Sequence, residues 1–282
     1  GKDPEYISRS EENYRNNVKK VWFLKKSLKK GKVIRKENLV MKRPADNDVN
    51  CLKFEDLINR KTLENINCKN PINRSSLENR VTALIVARTN SKRLPRKALI
   101  KICGITAIEH LINRVKQSKK VNKIILCTTK KKQDRLLEKI AIKNNILCFR
   151  GDENNVLKRA LDSVKNMKTD LIIRITGDDI LVDPHYLDLT VNLHLRKNLQ
   201  YTDSKKLPSG TEVEVFDYKL LKLIYNLSED SSGTEYLTYY LDNHKHQFKV
   251  GSLNITNNYR DKIRLTLDTK KDLKVIKKFL EK

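Results

Sequence analysis

The chain has 282 residues, and 60 lysines and arginines against 34 aspartates and glutamates leave it at +26, with 38% apolar and 33% charged residues. At about 100–200 residues per domain this allows two domains, and apolar runs that recur to the end exclude wholesale disorder. No run approaches the about 18 uninterrupted apolar residues of a membrane span, and no charged start leads into a signal-peptide core, so a cytoplasmic protein without membrane contact is expected.

From the amino end, Val21 to Leu24 and Val33-Ile34 are short apolar runs set apart by Lys29-Lys30-Gly31 and Lys42-Arg43-Pro44. Such punctuation belongs to a small β-rich module with tight turns. Asn-Pro-Ile-Asn-Arg-Ser-Ser over 70–76 then precedes a strongly apolar run, which places a domain boundary there and divides the chain into 1–78 and 79–282. Beyond it, strands are predicted over Thr82–Ala87, Lys123–Thr128, Ile146–Phe149 and Leu171–Thr176. Helical patterns lie between and after them around Ala107–Lys116, Gln133–Lys143 and Glu153–Met167. That alternation predicts an α/β domain with a mostly parallel sheet flanked by helices. Glu212 to Phe216 alternates strictly, helical stretches follow from Tyr218 and from Gly233, and Lys262–Leu267 reads as a strand running into a last helix after Asp268-Thr269.

The five cysteines, Cys51, Cys68, Cys103, Cys127 and Cys148, are odd in number and lack a Cys-x-x-Cys pair. They read as buried free thiols, not as a disulfide framework or a zinc site. The histidines, His110, His185 and His194 among them, have no partner at ligand spacing and read as non-catalytic. Lysines are spread along nearly every segment, and no helix-turn-helix, zinc finger or aromatic stripe accompanies them. The basic charge therefore reads as a solvated surface, and a nucleic-acid partner is not expected.

Chemistry is expected in the loops at the carboxyl ends of the parallel strands. The run Arg88-Thr89-Asn90-Ser91-Lys92-Arg93-Leu94-Pro95-Arg96-Lys97 follows the first of them and holds five cations in ten residues. Arginine offers a planar fork to phosphate oxygens, lysine a mobile point charge, and Pro95 stiffens the loop; an ordinary basic turn is the alternative. Thr176-Gly177-Asp178-Asp179 follows another apolar strand, and Asp268 a further one, so these carboxylates are candidates for a hard divalent cation. Equally, either aspartate could merely cap a following helix.

The spacing Arg-x-x-Ser-x-Arg-Leu-Pro-x-Lys resembles the signature loop of sugar nucleotidyltransferases, most closely the cytidylyltransferases that make CMP-activated acidic sugars and, among these, the spore coat polysaccharide biosynthesis protein F branch. The likeness runs from about Val81 to the end through Phe149-Arg150-Gly151-Asp152, Val156-Leu157 with Arg159, Arg174-Ile175-Thr176-Gly177-Asp178, Glu214-Val215-Phe216 and Arg264-Leu265-Thr266-Leu267-Asp268-Thr269. It implies a Rossmann-type fold of the nucleotide-diphospho-sugar transferase kind, and transfer of CMP from CTP to an acidic sugar such as a nonulosonate. By that resemblance Arg88, Ser91 and Lys97, with Lys92 and Arg93 beside them, hold the CTP phosphates. Arg88, Lys97 and Asp178 act in catalysis, Asp178 and Asp268 bind Mg²⁺, and Glu212, Glu214 and Tyr236 face the sugar. A homodimer is expected on the same ground. Two departures stand out: no proline follows Asp178-Asp179, and Tyr236 takes the place of the branch's usual histidine.

The segment from about Asn13 to Leu77 resembles the antifreeze-like (SAF, β-clip) domain of sialic acid synthases, with Lys42-Arg43-Pro44 as its motif. That likeness gives Arg43 a contact with the sugar in a synthase barrel, supplied upstream in a fused chain or in trans. In its second half Asn59 stands before Arg60-Lys61 where glycine is usual, and asparagine is among the residues best able to take a left-handed conformation there.

Overall fold

The computed structural model describes residues 20–45, 52–227, 239–255 and 263–281. The chain divides into two compact units between Asn79 and Arg80, with Leu195–Asn198 grouped with the first.

In the first unit β1 (Val21–Leu24) pairs antiparallel with β2 (Leu39–Lys42), Val21 opposite Lys42. The rest is held by isolated bridges, Phe23 with Pro71, Leu28 with Ile66, Val33 with Lys61 and Thr62 with Leu77, so Val33-Ile34 is bridged and not part of a regular strand. One short helix, α1, spans Phe54–Leu57. Leu24, Ile34, Leu39, Leu57, Ile66, Ile72 and Leu77 close a small core. Asn59 takes the left-handed conformation at φ 61°, and its N–H donates to Ile34 O at 2.9 Å.

The second unit is built on seven strands in the order β11-β9-β10-β8-β3-β6-β7. Its first strand, β3 (Val81–Val86), lies at the centre between β6 (Lys123–Thr129) and β8 (Leu171–Thr176), parallel to both. β7 (Leu147–Gly151) extends the parallel set beyond β6. β9 (Tyr201–Asp203), β10 (Glu214–Asp217) and β11 (Val250–Ser252) complete the other side, and among the seven β10 alone runs antiparallel. A separate hairpin joins β4 (Lys101–Ile102) to β5 (Ile105–Thr106). The helices are α2 (Ala107–Val115), α3 (Arg135–Lys143), α4 (Val156–Val164), α5 (Pro184–Arg196), α6 (Tyr218–Leu227), α7 (Tyr239–Asn243) and α8 (Lys270–Leu280).

Consecutive residues of β3 and β8 are buried, as expected of central strands covered on both faces. On one face Leu84, Ile125, Cys127, Ile172 and Phe216 pack with Leu157, Ala160 and Val164 of α4 and with Leu220 and Ile224 of α6. Burying a side chain of this size contributes about 1.5–3 kcal/mol, so this cluster fixes which helices cover the sheet.

Two expectations change. Ile263–Leu267 forms no strand among the described residues; Arg264 makes a single bridge, to Ser209, because the segment's backbone bonds are divided between Ser209 and Asp178, which belong to separate loops. Only Cys127 is a buried thiol, with Cys68 and Cys148 half-buried and Cys103 exposed, while Cys51 lies outside the described residues. The helical stretch from Gly233 also begins outside them. Among the described residues no helix is long and apolar enough to cross a membrane.

Candidate active site

The chain leaves β3, builds β6 and β7 outward on one side, and returns to lay β8 on the other side of β3. Such a reversal opens a crevice beyond the carboxyl ends of the two central strands. Val86 pairs with Thr176, so the loops that begin at Ala87 and Gly177 leave the sheet at the same level. Gly177 N–H donates to Val86 O at 2.8 Å, and a Cβ at 177 would stand 2.6 Å from Ala87 Cβ. Only glycine lets the loops start this close. Between them lies a cleft of about 660 Å³ whose lining includes Arg88, Ser91, Lys92, Arg93, Lys97, Arg159, Arg174 and Asp178.

Lys97 stands at the centre of this arrangement. Its Nζ donates to Asp178 Oδ2 at 2.6 Å and to Asp268 Oδ1 at 2.7 Å. Arg93 lies 3.0 Å from Asp268 Oδ1, and Arg264 donates to Asp268 Oδ2 at 2.7 Å. The loop delivers Lys97 through Arg96, which takes the left-handed conformation at φ 54° directly before a short 3-10 turn, Lys97–Leu99.

Asp268 reaches the site on an extended segment fastened by backbone. Leu265 N–H donates to Ser209 O at 2.6 Å and Leu267 N–H to Asp178 O at 2.9 Å. Gly210, at φ 99°, lies under it so closely that a Cβ would meet Thr266 N at 2.3 Å. Neither aspartate spends its side chain on a helix. Asp183 Oδ1 accepts from His185 N and Tyr186 N at the start of α5. At α8 the cap is Thr269, whose hydroxyl accepts from Asp272 N while Asp272 accepts from Thr269 N. The capping alternative is thereby removed for both carboxylates.

Burial alone would pull the Lys97 ammonium toward neutrality, but the Asp178 charge and the hydrogen bonds to both carboxylates outweigh it and hold its pKa above the ordinary lysine value. Burial likewise works against ionised Asp268, and Lys97 and Arg93 more than offset it, keeping that carboxyl below its usual range. Asp179 goes the other way: burial, then the like charges of Asp178 and Glu212, raise its pKa. The site thus presents two carboxylates facing one ammonium group. Two hard oxygens from separate segments suit a cation that takes its remaining ligands from phosphates and water, as Mg²⁺ does. Among the described residues no group of three or more His, Cys, Asp or Glu forms a complete cage.

Residues 82–282 match the family model described as Cytidylyltransferase. The chain belongs to the cytidylyltransferase family. It is 33% identical over 210 residues to the spore coat polysaccharide biosynthesis protein SpsF of Bacillus subtilis, covering 72% of this chain and 88% of that one. A shorter stretch of 112 residues is 28% identical to the 3-deoxy-manno-octulosonate cytidylyltransferase of Syntrophotalea carbinolica, over 39% of this chain and 44% of that one. Among solved structures, a cytidylyltransferase from Leptospira borgpetersenii superposes with a TM-score of 0.68 at 29% identity, over 72% of this chain and 87% of that one.

The residues singled out by sequence fall into three groups. Arg88, Ser91, Lys92, Arg93, Lys97 and Asp178 line one cleft, and Asp268 joins them through Lys97. Glu214 is buried on β10, where its carboxylate accepts from Arg174 and, at 2.8 Å, from Tyr201 Oη, while Glu212 accepts from Gly210 N at 2.6 Å and closes its own turn. Arg43 lies in the first unit, exposed just past β2, and Tyr236 lies outside the described residues. The histidines are structural where they are bonded: His110 to Ile102 O at 2.8 Å, and buried His194 to Thr202 at 3.0 Å.

Two arginines on the cleft wall carried no assigned role from sequence. Arg174 interrupts the apolar run of β8, and Arg159 sits on the buried face of α4 at 2% exposure. A cation inside an otherwise apolar strand or on the inner stripe of a helix is the signal that marks each.

Proposed function

We propose that the second unit transfers CMP from CTP to an acidic sugar of the nonulosonate class. The anomeric hydroxyl oxygen attacks the α-phosphorus in line, a new P–O bond forms, the bond to the bridging oxygen breaks, and pyrophosphate leaves. The observation that carries this reading is the bridge of Lys97 Nζ to Asp178 and Asp268 at the switch point of the sheet, with Arg88, Lys92 and Arg93 on the same cleft. Asp178 and Asp268 would hold Mg²⁺, which supplies charge neutralisation on the phosphate oxygens. Arg88 and Lys97 bind and orient the triphosphate, Ser91 donates to it, and Arg93 is shared between Asp268 and the phosphates. Negative charge grows on those oxygens during transfer, so cations placed in advance by the loop supply most of the catalysis.

An acidic sugar fits the cationic wall, which continues through Arg159 and Arg174, and it accords with the name of one relative, the 3-deoxy-manno-octulosonate cytidylyltransferase. In this reading Glu212, Glu214 and Tyr236, the last outside the described residues, are the residues that contact the sugar. Pyrophosphate release, measured with each of the four nucleoside triphosphates, with and without Mg²⁺, and with a panel of nonulosonic acids, tests it. CTP with one such acid and Mg²⁺ is the expected productive mixture. Equal release from the other triphosphates, or none from any, overturns the assignment.

The first unit is proposed to be an antifreeze-like docking module for a synthase barrel, fused upstream or met in trans. Left-handed Asn59 at the glycine position of that pattern and exposed Arg43 support it. Arg43→Ala is expected to raise the KM of an added synthase for its sugar and to leave CMP transfer unchanged. A homodimer is proposed for the whole chain, to be checked by sedimentation.

A further inference from the structure

Asp134 is 1% exposed and stands immediately before α3, closing the 3-10 turn Lys132–Asp134 that follows β6. An aspartate there ordinarily accepts from the first backbone N–H groups of its own helix. This one makes no such bond. Its Oδ1 instead accepts from Thr89 N at 2.8 Å and Thr89 Oγ1 at 2.6 Å, and its Oδ2 accepts from Thr129 Oγ1. The side chain thus leaves its helix to grip the second residue of the cationic loop, from a neighbouring strand.

Thr89 is the residue on which that loop turns. Its carbonyl accepts from Ser91 N at 3.0 Å and from Arg96 N at 3.1 Å, so one peptide unit ties both ends of the loop together. Arg96 is the left-handed residue, a conformation unfavourable to a non-glycine residue that persists only where neighbours enforce it. Lys97 follows it and spans Asp178 and Asp268. A continuous chain of short contacts therefore runs from Asp134 through Thr89 and Arg96 to the lysine at the centre of the cleft.

We propose that Asp134 is a positioning residue that fixes the phosphate-binding loop by clamping Thr89, and so sets the nucleotide affinity of the site without touching nucleotide. This rests on the nucleotide-binding reading above. Burial opposes its charge, yet the hydroxyls of Thr129 and Thr89 and the Thr89 N–H keep its pKa below the ordinary value, so the clamp is a full carboxylate at neutral pH.

The test compares the whole chain with Asp134→Ala, Asp134→Asn and Thr129→Val. Amide hydrogen exchange at Ser91 and Arg96 is read without nucleotide, CTP–Mg²⁺ affinity by calorimetry, and the melting temperature alongside. Asp134→Ala is expected to speed exchange at both amides tenfold or more and to weaken CTP tenfold or more. Asn keeps a carbonyl oxygen for Thr89, and Thr129→Val spares the Thr89 bonds, so both are expected within threefold of the parent. Unchanged exchange in Asp134→Ala overturns the proposal, as does a Thr129→Val protein that loosens the loop equally. A parent that binds no CTP while Asp134→Ala still frees Ser91 and Arg96 refutes the nucleotide reading and leaves the clamp standing. Should Asp134→Ala fail to fold, Thr89→Val, which removes only the hydroxyl contact, is read in the same way, with faster exchange at Arg96 expected and unchanged exchange counting against the clamp.

Discussion

Two lysine-rich turns, one in each unit, put the same residue types to different use. Every lysine from Lys25 to Lys32 is exposed, and that turn is held through its own backbone groups: Gly31 N–H donates to Thr62 O at 2.8 Å, and Lys29 O accepts from the Thr62 hydroxyl at 2.8 Å. In Arg88–Lys97 the turn ends on a lysine drawn inward to two carboxylates from segments 81 and 171 residues away. The number of cations in a turn reports only on its solvation. A site needs opposing charges that the topology brings to the same end of the sheet.

The contrast can be broken most severely at Asp268. Asp268→Asn removes one of the two charges facing Lys97, and pyrophosphate release is expected to fall about a hundredfold or more, the loss typical of deleting one preorganised electrostatic partner. Initial rates at saturating CTP check this, and Mn²⁺ affinity in the absence of CTP should fall with them. An Asp268→Asn protein that keeps parental rates would mean that the convergence on Lys97 has no part in chemistry.

A middle-sized effect comes from the spacing of the two loops. Gly177→Ala drives a methyl to 2.6 Å from Ala87 Cβ, and such overpacking costs about 1–3 kcal/mol. That should appear as a melting temperature lowered by about 2–4 °C per kcal/mol, together with a raised KM for CTP, because Ala87 precedes Arg88. The smallest effect sharpens the other half of the comparison. Lys30→Ala on the exposed turn should stay within about 0.5 kcal/mol in denaturant unfolding and leave CTP kinetics alone.

Much of the second unit was legible from its residues because its central strands are buried on both faces and read as unbroken apolar runs; Leu171–Thr176 matches to the residue. Two strands on one side of the sheet, Tyr201–Asp203 and Val250–Ser252, are three residues each, too short to show a period. Helix α5 was missed because its inner side carries Thr190 and His194 where an apolar stripe would announce it. For the site, spacing exposed the cationic loop, and family likeness, not geometry, joined it to Asp178 and Asp268. No local pattern could have shown Asp134 reaching across to Thr89, because an aspartate at a helix start reads as a cap.

Among the described residues, the segment that carries Asp268 is fastened to the body of the unit by two backbone bonds, one of them at its bridge to Ser209, and by the contacts of Asp268 with Lys97 and Arg93, and not by a full ladder. Local opening follows the weakest set of contacts, so this strip can peel away while the sheet beneath it stays intact. On gentle warming the protein should therefore lose affinity for the proposed Mg²⁺ before its circular dichroism changes, and cooling should restore it without refolding the whole molecule.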